Sequence, residues 1–182
     1  MTMNSISSDN ICKDNIILIG MPTSGKSCAG VILAKIMGLD FVDTDLLIQR
    51  AAGRKLHEII SAEGLDVFLK REEEACLSLH EKGSVIATGG SVVYSEKAMT
   101  HLKSQGIVVY LEIDFDTLTK RLHNVKQRGV VLREGQTIRD LYEERAVLYT
   151  KYADITVSEA DLDMEETVDS IRKGVVIYQS RN

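Results

Sequence analysis

Residues 20–27, GMPTSGKS, set two glycines, a lysine and a hydroxyl in the pattern G-x-x-x-x-G-K-[ST], at Gly20, Gly25, Lys26 and Ser27. The spacing suits a phosphate cradle. Glycines let successive backbone N–H groups turn inward, and a helix beginning at the end of the loop aims its positive end at the same point. A lysine there can reach the β- and γ-phosphates of a nucleotide, and the serine hydroxyl can ligate Mg²⁺. Thr23 and Ser24 within the loop, and Cys28 just past it, belong to the same expected nucleotide site.

Further clusters could do chemistry beside it. Asp43-Thr44-Asp45 offers two carboxylates, one for the metal and one for an acceptor hydroxyl. Asp and Thr are equally ordinary helix N-caps, here ahead of LLIQR. Thr88-Gly89-Gly90 would let a ligand approach the backbone closely, as would any plain turn. Arg145 falls on the line of Ile138, Leu141, Leu148 and Tyr152, a core-facing stripe at helical spacing. A buried guanidinium needs an anionic partner, either one of the chain's glutamates or an anionic substrate. Arg128 is either a solvated charge or a group that closes over the transferring phosphate, and REEEA (71–75) reads as a solvated helix face.

The elements that must position these groups follow from the hydrophobic pattern. IILIG (16–20) is an apolar run closed by glycine, as in a strand buried on both faces. Further strands are expected at 41–43, 84–88, 107–113 and 154–157, and helices at 25–37, 45–52, 55–62, 64–82, 95–104, 115–123, 137–152 and 163–177. NVKQRGVVLREGQ (124–136) has no period and two glycines, which predicts a mobile loop. Apolar strands alternating with helices make an α/β fold with a parallel sheet covered on both faces, its ligands at the carboxyl ends of the strands.

With 182 residues, 44% hydrophobic and 27% charged, the chain is expected to form a polar tail over 1–14 and a single domain over 15–182. A net charge of −5 argues against nucleic-acid and anionic-membrane partners. Cys12, Cys28 and Cys76 lie far apart without metal-ligand spacing, which fits a reducing compartment. The N-terminus has no apolar signal-peptide core, and no apolar run approaches the roughly 20 residues of a membrane span, so a cytoplasmic protein is expected.

The order GMPTSGKS, FVDTD, EGLDVFLKRE, TGG, an arginine-bearing loop and then ERAVLY resembles the shikimate kinases, within the nucleoside-monophosphate-kinase-like P-loop kinases. The resemblance runs from about residue 15 to 177. It implies a three-layer sandwich with a five-stranded parallel sheet in the order 2-3-1-4-5, an acceptor-binding region at about 44–83 and a lid at about 124–136. It implies ATP and Mg²⁺, with Ser27 and Asp43 around the metal and Lys26 on the phosphates. Asp45 would hold and deprotonate the acceptor hydroxyl, Gly89 and Gly90 would line the acceptor site, and Arg145 would bind a carboxylate. Arg128 would be the lid arginine, and Arg121 matches a position that lies over adenine.

Three departures accompany the resemblance. Phe68 is followed by Leu69 where the family carries an arginine for the acceptor carboxylate, the triple glycine is reduced to Gly89-Gly90-Ser91, and the lid has Arg128-Gly129 where the family has Arg-Pro. Two touch the acceptor side and none touches the phosphate loop. The expected activity is therefore γ-phosphoryl transfer from ATP to a hydroxyl of a small hydroxy acid, shikimate first and gluconate as an alternative acceptor. An ATP-binding regulatory protein without turnover is a further alternative. The expected assembly is a monomer or a weak homodimer.

Overall fold

The computed structural model describes residues 14–122, 130, 132–160 and 162–181. The tail before residue 14, Arg128, Gly129 and much of the expected lid lie outside them.

β1 (Asn15–Gly20) leads through the GMPTSGKS loop into α1 (Lys26–Met37), and β2 (Asp40–Asp43) runs into α2 (Thr44–Ala52). Then come α3 (Leu56–Glu63), α4 (Leu65–Leu77), β3 (Ser84–Ala87), a 3-10 turn at Val92–Tyr94 and α5 (Glu96–Gln105). β4 (Gly106–Glu112), α6 (Phe115–Leu122), α7 (Ile138–Tyr152), β5 (Ile155–Ser158) and α8 (Met164–Gln179) complete the order. The five strands form one parallel sheet in the order β2-β3-β1-β4-β5.

Strand alternation divides the core. Ile17, Ile19, Ile86, Val108 and Tyr110 pack on one side with residues of α4, α5 and α7. Ile16, Leu18, Val85, Val109 and Leu111 pack on the other with α1 and α8. Both faces are dry, which explains why the strands read as continuous apolar runs. A third cluster, Ile48, Ile59 and Phe68, ties α2, α3 and α4 together beside the sheet.

Register puts the site at one edge. Asp43 pairs with Ala87, and Leu18 also pairs with Ala87, so β1, β2 and β3 end side by side. Thr44-Asp45, Thr88-Gly89 and the phosphate loop leave from adjacent carboxyl ends.

Two expectations are corrected. The charged helix expected over 64–82 stops at Leu77, because Ser78 caps it and its hydroxyl donates back to the Ala75 carbonyl at 2.8 Å, while Leu79 turns into the core. Nor is REEEA a wholly solvated face. Glu72 is 1% exposed, because it lies on the buried line of Phe68 and Cys76.

Candidate active site

The phosphate loop is held in a conformation its glycines permit. Gly20 has φ 147°, and a Cβ there would lie 2.5 Å from the Leu111 carbonyl oxygen. Gly25 has φ 78°. Thr23 adopts φ 69° without being glycine, a backbone strain of the kind that persists at ligand sites. Lys26 is buried, and its Nζ donates to Gly20 O at 2.8 Å, Met21 O at 2.7 Å and Ser24 Oγ at 3.3 Å. Burial pulls this lysine down to about 8, against the opposing charges of Asp45 and Glu159. The ammonium is thus folded back onto the loop and held by two of its carbonyls and a hydroxyl.

Beside it the Ser27 hydroxyl donates to Asp43 Oδ2 at 2.7 Å. Asp43 Oδ1 accepts from the Asp45 and Leu46 amides at 3.0 and 3.3 Å, capping α2. The two readings of DTD are therefore not exclusive, since one oxygen caps the helix and the other faces the serine. Among the described residues there is no group of three or more His, Cys, Asp or Glu side chains able to hold a metal. A hydroxyl and a carboxylate fit Mg²⁺, which keeps several waters and takes phosphate oxygens with one or two protein ligands.

The same cavity is lined by Lys26, Ser27, Cys28, Asp45, Phe68, Glu72, Gly89, Gly90 and Arg145. Asp45 Oδ1 and Glu72 Oε1 are buried with no hydrogen-bond partner among the described residues. Burial, with Asp43 adding to it, pushes Asp45 up to about 6. Burial pushes Glu72 up to about 7, opposed by hydrogen bonds from Ser91 and reinforced by the charge of Asp45. Sequence reasoning missed Glu72. The available signal was Phe68–Glu72–Cys76 at successive spacings of four, the same logic that singled out Arg145.

Arg145 is 3% exposed. The buried line of α7 runs Leu141, Arg145, Tyr149, Tyr152, with Ile138 and Leu148 only partly buried. Among the described residues Arg145 forms no ion pair; its Nε donates to Tyr94 Oη at 3.3 Å, with the guanidinium carbon 5.2 Å from that ring's centre. Its Nη1 would lie 3.2 Å from a Cβ on Gly90. Tyr149 Oη donates to the Gly90 carbonyl at 2.6 Å and its ring stacks on Tyr110. The buried Thr44, read from sequence only as a cap candidate, accepts from the Gly89 amide at 3.1 Å and joins the two strand ends.

Leu69 and Arg121 are not among the residues lining this cavity. Leu69 packs on the Ile48–Ile59–Phe68 cluster and borders a neighbouring groove with Glu72, Ser91 and Tyr94. Arg121 Nη1 donates to Thr23 O at 3.0 Å and to Glu159 Oε2 at 2.9 Å, at the rim of the phosphate loop.

The sequence profile of the shikimate kinase family matches residues 22–175. The chain belongs to the shikimate kinase family. It is 39% identical to the shikimate kinase of Pasteurella multocida (strain Pm70) over 149 residues, 80% of this chain and 85% of that one. It is 36% identical to the shikimate kinase of Aquifex aeolicus (strain VF5) over 157 residues, 86% of this chain and 92% of the relative. A solved shikimate kinase from Acinetobacter baumannii in complex with shikimate superposes with TM-score 0.81 at 31% identity, covering 93% of this chain and 94% of that chain. As in the family, the chain is an ATP-dependent kinase that phosphorylates a hydroxyl group of a small molecule. The five-stranded 2-3-1-4-5 sheet is the family's P-loop fold.

Proposed function

We propose that the acceptor is shikimate and the product shikimate 3-phosphate. What carries this reading is one cavity lined together by Lys26, Ser27, Asp45, Gly89, Gly90 and Arg145. A nucleotide and a small anion can meet there. The family and the Acinetobacter complex with shikimate support the choice of anion.

The loop amides and the start of α1 hold the phosphates, and Lys26 places a positive charge where charge develops as the γ-phosphoryl moves. Ser27 and Asp43 would hold Mg²⁺, which when bound offsets the charge of the β- and γ-phosphates. Asp45 accepts the proton of the acceptor hydroxyl as that oxygen bonds to phosphorus and the bond to the ADP oxygen breaks. Arg145, with no carboxylate ion-paired to it, takes the acceptor's carboxylate, and the bare backbone at Gly89 and Gly90 lets the ring come close. Glu72 is placed to hydrogen-bond an acceptor hydroxyl beside Asp45. Arg128, outside the described residues, is assigned to the transferring phosphate by the family resemblance alone.

Leu69 favours a second reading. With no arginine at that position, the arginine lining the cavity among the described residues is Arg145, and another small hydroxy acid such as gluconate could serve as acceptor. Incubation with ATP, Mg²⁺ and shikimate, followed by ³¹P NMR of the product, decides the matter. A phosphomonoester on the 3-hydroxyl is expected; ADP without phosphorylated shikimate would count against the proposal.

A further inference from the structure

Arg145 is a buried cation held by a neutral partner. Its Nε donates to Tyr94 Oη at 3.3 Å, and its guanidinium carbon lies 5.2 Å from the centre of the Tyr94 ring. Arg133 approaches the same ring, with its guanidinium carbon at 5.4 Å. Arg133 is tied in turn to one oxygen of Glu144 at 3.6 Å, and Gln136 Nε2 donates to the other at 2.8 Å. The Tyr94 amide donates to Ser91 O at 3.0 Å, which fixes the turn that follows Gly90. Tyr94 therefore stands between the turn after β3 and α7, with one guanidinium from α7 and another from the segment before α7 against its ring.

An arginine that takes a carboxylate binds it better when already oriented, because a mobile guanidinium stem loses rotamer freedom on binding. An aspartate or glutamate would orient it too, but would compete with the ligand for the same N–H groups and offset the charge. Glu144, next to Arg145 in sequence, is engaged by Arg133 and Gln136 instead. Tyr94 orients without competing. Its hydroxyl accepts from Nε, its ring attracts the cation, and it carries no negative charge. The Nη groups are left for the cavity that Arg145 and Gly90 line together. Nη1 is the nitrogen that a Cβ on Gly90 would crowd, at 3.2 Å.

Resting on the proposed acceptor site, we propose that Tyr94 is a positioning residue that sets the kinase's preference for anionic acceptors. It holds the Arg145 guanidinium through Nε and leaves the charge and the Nη groups to the acceptor's carboxylate. Tyr94 is not among the residues lining the cavity, so it acts through Arg145.

The test compares shikimate with its methyl ester, which has the same hydroxyls and no charge. Each is titrated calorimetrically into the full chain saturated with Mg²⁺ and ADP. The wild type should bind the acid about ten- to a hundredfold more tightly than the ester, as expected for a charge-assisted hydrogen bond. Tyr94→Phe keeps the ring and removes the acceptor of Nε; it should weaken the acid about three- to tenfold and leave the ester within about twofold. Tyr94→Leu, which removes the ring as well, should weaken the acid further. The KM for shikimate should rise in the same order while kcat stays within about threefold of the wild type. An unchanged unfolding midpoint of Tyr94→Phe establishes that the variant is folded. Equal weakening of acid and ester by Tyr94→Phe, or no weakening of either, overturns the role. So does a wild type that binds acid and ester alike, even where ³¹P NMR shows phosphorylated shikimate and the proposed function stands. A chain that shows the preference, loses it in Tyr94→Phe and yet phosphorylates no acceptor would refute the proposed function alone, whereas a chain that binds no shikimate overturns both.

Discussion

Glu72 and Gly89 share a space that only glycine leaves open. A Cβ on Gly89 would run into the Glu72 carboxylate and would lie 2.9 Å from Asp45 Oδ1. The end of β3 and two buried acids thus pack without room for a methyl group, on the part of the cavity where we propose that the acceptor binds. Overpacking of this kind costs about 1–3 kcal/mol. Gly89→Ala should therefore raise the acceptor KM roughly five- to a hundredfold, with calorimetric ATP affinity nearly unchanged. An acceptor KM equal to the wild type would show that Glu72 can move aside without consequence.

The pH dependence of kcat/KM should be bell-shaped. Asp45 must be ionised to take a proton, so activity should rise with pH through the Asp45–Glu72 pair, between about 6 and about 7. Lys26 must be charged, so activity should fall above about 8. Asp45→Asn should lower kcat by about 10²–10⁴ and remove the acidic limb. An equal loss of ATP affinity would instead place Asp45 with Ser27 and Asp43.

Stability without ligands should fall as pH rises. Glu72 is raised from 4.5 to about 7 and Asp45 from 3.8 to about 6, both chiefly by burial. The folded state therefore holds these protons more tightly than the unfolded chain. The resulting stabilisation is complete below the unfolded values and is lost as pH climbs through the folded ones. Urea midpoints measured across that window should decline for the wild type and decline less for Glu72→Gln. Parallel curves for the two proteins would contradict the burial of Glu72 as a proton-holding acid.

Leu69→Arg should strengthen shikimate binding. The side chain borders the groove that also contains Glu72 and Ser91, so a guanidinium there can pair with Glu72 and extend toward the acceptor. A charge-assisted hydrogen bond of roughly 1.5–3 kcal/mol corresponds to about a ten- to hundredfold lower KM for shikimate. KM for ATP should hold, and the unfolding midpoint should drop through lost contact with the Ile48–Ile59–Phe68 cluster. A wild-type KM already low and unimproved by the substitution would mean that Arg145 suffices.

Much of this was legible in the sequence because it is local. Strand-to-helix switching around GMPTSGKS, the apolar runs of the sheet and the arginine on the buried line of α7 each depend on neighbours within a few positions. What escaped is non-local. Glu72 looked solvated because its neighbours Glu73 and Glu74 are charged; its burial comes from the end of β3 and from Ser91 folding over it. The halt of α4 at Leu77 depends on Leu79 finding the core, and the Glu159–Arg121–Thr23 link joins three segments that no periodicity connects. Leu69 occupies the position of the family's acceptor arginine, and its side chain packs on the helical cluster beside it.

The most direct test of the account is steady-state ADP release by the wild-type chain with ATP and Mg²⁺, comparing shikimate, gluconate, nucleoside monophosphates and no acceptor, with Lys26→Ala alongside. Shikimate should give the highest kcat/KM of the panel, release without acceptor should be negligible, and Lys26→Ala should abolish turnover while remaining folded. Faster turnover on gluconate, acceptor-independent release alone, or near wild-type activity in Lys26→Ala would contradict it.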